Sequence, residues 1–247
     1  MTFEYEDIGN NNVMITAYNG NEAHLIIPST YEGKTVTDIS VNVFYQNNII
    51  ESVSGESIRT IRDGENYIGA FSDCESLQFV YFPNIQFIGD YAFSDCTNLS
   101  TFSNRSIHYL ISIGEASFNN CSTLKTFCNG DLPKLTTIGN YAFNFCLQLS
   151  TFCSGILPEL ITIKNRAFKG CSTLDTFHDG NIPELLIIDS GAFYDCTKLS
   201  TFCTGNIPKL ISIFDEAFNN CSIMNTFSNG NLPTLQYIGN NVFQYTS

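Results

Sequence analysis

The sequence has no tryptophan, only 3 histidines, and only 11 lysines and arginines against 24 acidic residues, for a formal net charge of −13. So few basic side chains exclude the clustered positive surface that nucleic acid or an anionic membrane requires. No run of about 18 apolar residues occurs, so no membrane-spanning helix is expected. The N-terminus, Met1-Thr2-Phe3-Glu4-Tyr5-Glu6-Asp7, lacks the apolar core of a secretory signal. His24, His108 and His178 fall in no nucleophile elbow, His-Glu-x-x-His helix or phosphate loop. Neither enzymatic activity nor a bound cofactor is expected.

What the chain does have is a period. An Ala-Phe pair followed three residues later by Cys recurs at Phe71/Cys74, Phe93/Cys96, Phe118/Cys121, Phe143/Cys146, Phe168/Cys171, Phe193/Cys196 and Phe218/Cys221, with Ser117 in place of the Ala in the third copy. Successive cysteines lie 22 and then five times 25 residues apart. A fixed repeat of this length marks a solenoid, one continuous body whatever its length. The 21 phenylalanines follow from it, since nearly every repeat carries one Phe after Ala and one after Thr. Seven of the 10 cysteines share one repeat position, which makes them an internal column of free thiols and not a disulfide framework.

Each regular coil, for example Leu124-x-x-Phe127 … Pro133-x-Leu135-x-x-Ile138-Gly139-x-x-Ala142-Phe143-x-x-Cys146, holds two short β-type runs joined by a Gly/Pro turn. The apolar spacing of three in Ala-Phe-x-x-Cys predicts a single helical turn at the corner. Residues 1–38 stand outside the period and read as a β-rich cap on a solenoid covering 39–247. Arg62-Asp63-Gly64-Glu65-Asn66 is extra to the period and reads as a surface insertion, a place where repeat proteins often put specificity. Thr246 stands where the next Cys belongs, so the Tyr245-Thr246 ending is expected either to cap the stack or to continue into further protein.

The pattern Leu-x-x-Ile-Gly-x-x-Ala-Phe-x-x-Cys-x-x-Leu closely resembles the BspA-type leucine-rich repeats of bacterial and protozoan surface proteins. The stretch Ile15-Thr16-Ala17-Tyr18-Asn19-Gly20 to Asp38-Ile39 looks like the lead-in to such repeats. The one departure is a turn two residues longer in the 25-residue coils. The resemblance implies an α/β repeat protein: a right-handed leucine-rich-repeat solenoid of short strands and single helical turns, with a parallel sheet on its concave face. It also implies adhesion or surface recognition, and hence a cell-surface location, whereas a free-thiol ladder suggests the cytoplasm.

Carried onto this chain, the Thr-Phe runs become neighbouring strands of that sheet. Side chains alternate along a strand, so Phe points in while Thr and the residue after Phe point out. Thr126, Thr151, Thr176, Thr201 and Thr226, with His178, are therefore the candidate ligand-binding residues for a protein or an extended glycan. The same threonines also fit plain sheet propensity. The outward column would also hold Cys128, Cys153, His178 and Cys203. Four ligands at strand spacing span about 14 Å, too far to meet one zinc ion through sulfur bonds of about 2.3 Å. Three of them, Cys153, His178 and Cys203, with a water would be the closest approach to a site, and no metal site is assigned. The expected function is a non-catalytic binding scaffold. The alternative is a structural protein that self-associates through its solenoid surfaces.

Overall fold

A computed structural model describes residues 3–246. The regular coils build two parallel sheets from the two β-type runs. The first uses two-residue strands, Thr60–Ile61, Phe87–Ile88, Ser112–Ile113, Thr137–Ile138, Thr162–Ile163, Ile187–Ile188, Ser212–Ile213 and Tyr237–Ile238, paired so that Ile always lies beside Ile. The second uses three-residue strands, among them Phe79–Tyr81, Thr101–Ser103, Thr126–Cys128 and Thr151–Cys153.

Residues 3–39 join the first sheet directly. An antiparallel hairpin pairs Phe3–Gly9 with Asn12–Tyr18, turning through Gly9, Asn10 and Asn11, all at positive φ. Gly and Asn are the residues that accept this conformation at least cost. Asn12–Tyr18 then pairs in parallel with Lys34–Ile39, which pairs with Thr60–Ile61, so one unbroken sheet links this segment to the coils. Stacked Tyr5 and Tyr31 and the Lys34–Asp7 ion pair close its outer side.

Between the sheets runs an aromatic core. The corner phenylalanines Phe118, Phe143, Phe168, Phe193 and Phe218 stack in sequence with centroids 5.1–5.2 Å apart. The strand phenylalanines Phe102, Phe127, Phe152, Phe177 and Phe202 form a second stack, and each meets the first edge-on, as Phe127 does Phe143 at 5.2 Å and 73°. Both offset-stacked and edge-to-face pairs suit the ring quadrupole. The cysteine column lies beside them, fully buried and unoxidised. Each thiol donates to the carbonyl of the Phe one coil back: Cys121 to Phe93, Cys146 to Phe118 and Cys171 to Phe143, all at 3.1 Å.

The corner is not a helical turn. There is no helix among the described residues. In the coil around Phe143, alternate N–H groups leave the segment: Tyr141, Phe143 and Phe145 donate to the carbonyls of Asn165, Ala167 and Lys169 in the next coil. The intervening Ala142, Asn144 and Cys146 donate three residues back, to Gly139, Tyr141 and Phe143. An α-helix needs every N–H for its own i−4 carbonyl and a right-handed backbone throughout. Here Tyr141 and Phe145 sit at φ 54° and 56°, and the same two positions are left-handed in the neighbouring coils, at Ala116 and Asn120 and at Arg166 and Gly170. The spacing of three reflects linked turns whose free donors tie coil to coil.

The insertion is exposed and ordered by its own bonds. Glu65 and Ile68 exchange backbone hydrogen bonds at 3.0 and 2.9 Å, and the Gly64 N–H reaches the Asp90 carbonyl at 2.8 Å. At its base, Arg62 pairs with the buried carboxylate of Asp38 at 2.6 Å, whose other oxygen accepts the Thr37 hydroxyl.

Candidate binding face

The three-residue strands bring the candidate threonines together. Thr101 lies beside Thr126 and Thr126 beside Thr151 in one sheet, and Thr176 lies beside Thr201, which bridges to Thr226. Between these two runs the ladder is interrupted: the six-stranded sheet ends at Thr151–Cys153, and Thr176–His178 pairs only with Thr201–Cys203. All six threonines are half-buried, so each shows part of its hydroxyl and methyl surface. Lys125, Ser150, Asp175 and Asn225, each one residue before a Thr, are more exposed than the threonines. They had a sequence signal, since they vary where Leu, Thr and Phe stay fixed. Ser200 Oγ donates to Asp175 Oδ1 at 2.6 Å, tying two of these positions across coils.

The residues after the strand Phe are not on the surface. Cys128, Cys153, His178 and Cys203 are buried, with His178 only 2% exposed. The Gly/Pro turns fold back over them. Cys128 Sγ donates to the carbonyl of Arg105 at 3.2 Å, Cys203 Sγ to that of Gly180 at 2.9 Å, and Ser103 and Ser228 reach the same turn. His178 is therefore withdrawn from direct contact with a large ligand. Its neighbour Gly180 takes φ 141°, and an added Cβ there would lie 3.3 Å from His178 Nε2. The Nδ1 atom has no hydrogen-bond partner.

Burial sets the chemistry of this layer. It pushes the thiols of Cys128 and Cys153 up to about 12, and raises that of Cys203. It lowers the His178 pKa, opposed by a backbone hydrogen bond at Asn181 and the charge of Asp179. Metal binding needs thiolates and an arrangement around one point. Among the described residues no group of three or more His, Cys, Asp or Glu side chains is placed to hold an ion, and this includes Cys153, His178 and Cys203. Nor do the histidines converge: His24 is exposed against Ser52, and His108 lies in an exposed turn. No helix of the described residues is long and apolar enough to cross a membrane.

A family model described as "BspA type Leucine rich repeat region (6 copies)" matches residues 37–175 and 136–247. Among solved structures, the chain is similar to a leucine-rich-repeat protein of T. pallidum, with 21% identity over 98% of this chain and 85% of that one and a TM-score of 0.46. It is also similar to a leucine-rich cell surface protein of Faecalibacterium prausnitzii A2-165, with 18% identity over 99% and 96% and a TM-score of 0.35. A leucine-rich-repeat protein of Bacteroides ovatus ATCC 8483 matches at 16% identity over 98% and 90%, with a TM-score of 0.26. No curated protein matches.

Proposed function

Because the chain belongs to the BspA-type leucine-rich-repeat family, matched from residue 37 to residue 247, we propose that it is a non-catalytic scaffold that binds a protein or other extended ligand through its three-residue strands. In this reading the coil is right-handed and these strands line its concave side. The observation that carries it is the two in-register runs of half-buried threonines, bordered by the variable Lys125, Ser150, Asp175 and Asn225. A rigid repeated surface with a changing polar border is how solenoids present extended binding faces. That the scaffold is non-catalytic is part of this proposal; its thiols are buried with raised pKa values, and its histidines lie apart from one another. Adhesion or surface recognition is the role proposed for this scaffold, on the strength of its family.

The test is a binding panel of extracellular-matrix proteins and glycans against the purified chain, run alongside light scattering across a range of concentrations. A saturable ligand and a monomer at all concentrations are expected. No ligand and a concentration-dependent oligomer would instead favour an assembly protein that packs solenoid on solenoid.

A further inference from the structure

The first sheet carries a groove of about 540 Å³ over its N-terminal coils, on different strands from the threonine face. Three repeat columns frame it. The residue before each strand Ile points outward, giving Thr60, Phe87, Ser112 and Thr137 along one wall. The residue after Ile is Gly114 or Gly139 in the floor, bounded by Arg62 at one end and Lys164 at the other. The next position supplies the second wall, Asp63, Asp90, Glu115 and Asn140. Four strand steps separate Arg62 from Lys164, about 19 Å at sheet spacing.

The floor is fixed as glycine by the approach of the coils. A Cβ on Gly114 would come 2.6 Å from the Asp90 backbone nitrogen, and one on Gly139 would come 2.5 Å from the Gly114 carbonyl carbon. Lys164 is the first residue after these glycines to put a side chain into that column, and there the groove ends.

Phe87 is the anomaly. Its column is Thr, Ser or Thr in the other coils that line the groove, and its ring is 40% exposed between hydroxyl-bearing neighbours. The partly exposed ring lines the groove together with the carboxylates of Asp63 and Asp90. Asp63 and Asp90 each give one carboxylate oxygen to a backbone N–H of the next coil, at 3.2 and 2.6 Å, and no bond engages the other. Burial raises the pKa of Asp90, with the carboxylates of Asp63 and Glu115 adding to it.

We infer that this groove is a binding site for a short neutral oligosaccharide, with the Phe87 ring as platform and Asp63, Asp90 and Asn140 as its hydroxyl acceptors and donors. A pyranose offers an apolar C–H face that lies on the electron-rich face of an aromatic ring. Its rim of hydroxyls needs groups that accept and donate in one plane, as carboxylates and amides do. The size falls within the usual range for ligand sites, about 300–1,000 Å³. Four carboxylates, Asp38, Asp63, Asp90 and Glu115, face two cations, Arg62 and Lys164, so the groove disfavours acidic or sulfated sugars. Because the site lies on separate strands from the threonine face, it stands or falls independently of the reading proposed for that face.

The experiment titrates the wild-type chain with cellotriose, maltotriose and N-acetylchitotriose by calorimetry and by saturation-transfer NMR, with a lysine pentapeptide as the competing probe. Phe87→Thr restores the residue type of the neighbouring coils and should leave the thermal melt unchanged. At least one trisaccharide should bind wild type, insensitive to salt, and the Phe87→Thr variant should weaken it by about tenfold or more. The Thr151→Lys/Thr176→Lys/Thr201→Lys variant should bind the same sugar within about twofold, as distant sites behave independently. Binding to none of the three sugars would overturn the inference. So would equal binding by Phe87→Thr, or salt-sensitive binding of the lysine peptide alone.

Discussion

Phe143→Ala removes one ring from the centre of the aromatic core. That ring is fully buried, stacks between Phe118 and Phe168 at 5.1 Å on each side, and meets Phe127 and Phe152 edge-on at 5.2 and 5.4 Å. Truncating a buried Phe to Ala costs about 3–5 kcal/mol. Four aromatic partners, each worth about 0.5–1.5 kcal/mol beyond area, put this site at the upper end, although the terms do not simply add. Phe243→Ala is the matched control. It belongs to the same column but is 39% exposed and meets only Phe218 and Phe227, so its loss should be about 1–2 kcal/mol. The assay is a urea melt of both variants, with hydrogen exchange to locate the damage. Coils touch only their neighbours, so lost protection should centre on the amides of Phe118 and Phe143, which bond across adjacent coils. Equal melting midpoints for the two variants, or exchange that rises evenly along the chain, would refute the stacked-column account.

Three further expectations come from the same structure. Burial raises the pKa of every thiol in the chain, so a thiol-specific chromogenic reagent at neutral pH should find none reactive in the native protein and ten after denaturation; fast native labelling would contradict the burial. Burial also lowers the His178 pKa, so the unfolded chain binds a proton that the native chain refuses, and stability should fall as pH drops below the unfolded value of about 6.5 and level off below the native one. His178→Cys should flatten that part of the curve between wild-type melts at neutral and mildly acid pH, and an unchanged curve would remove His178 as its source. Gly170 takes φ 73° with the Phe145 ring 2.7 Å from where a Cβ would stand, so Gly170→Ala should cost about 1–2 kcal/mol in a denaturant melt, and a neutral result would show that the corner tolerates a side chain there.

The period made the fold legible because it repeats the features that face inward. Phe143 and Cys146 could be placed in the core from their recurrence alone, and both are fully buried. The corner was misread as helical because a spacing of three suits linked turns as well as a helical turn. What decides between them is that Phe143 and Phe145 donate to the next coil, a contact that lies 24 residues away in sequence. Cys128 and His178 were expected to face outward with the threonines, but both are buried, because alternation says nothing about what folds over a strand. The longer turn was visible as a departure from the family pattern, and carbonyls of these turns accept from the buried thiols. The groove was half legible: the insertion at Arg62 was read as a place for specificity, while Phe87 was not singled out. Its signal was an aromatic in a column otherwise filled mainly by Thr and Ser.

The central claim is that partners meet the threonine face of the three-residue strands and not the repeated Ala-Phe-x-x-Cys corner. The direct measurement compares the binding of a ligand found in the panel to wild type and to the Thr151→Lys/Thr176→Lys/Thr201→Lys variant, after circular dichroism shows the two equally folded. The account predicts that binding by the variant is lost. Unchanged affinity in a folded variant would contradict it and move the site to another surface of the coil.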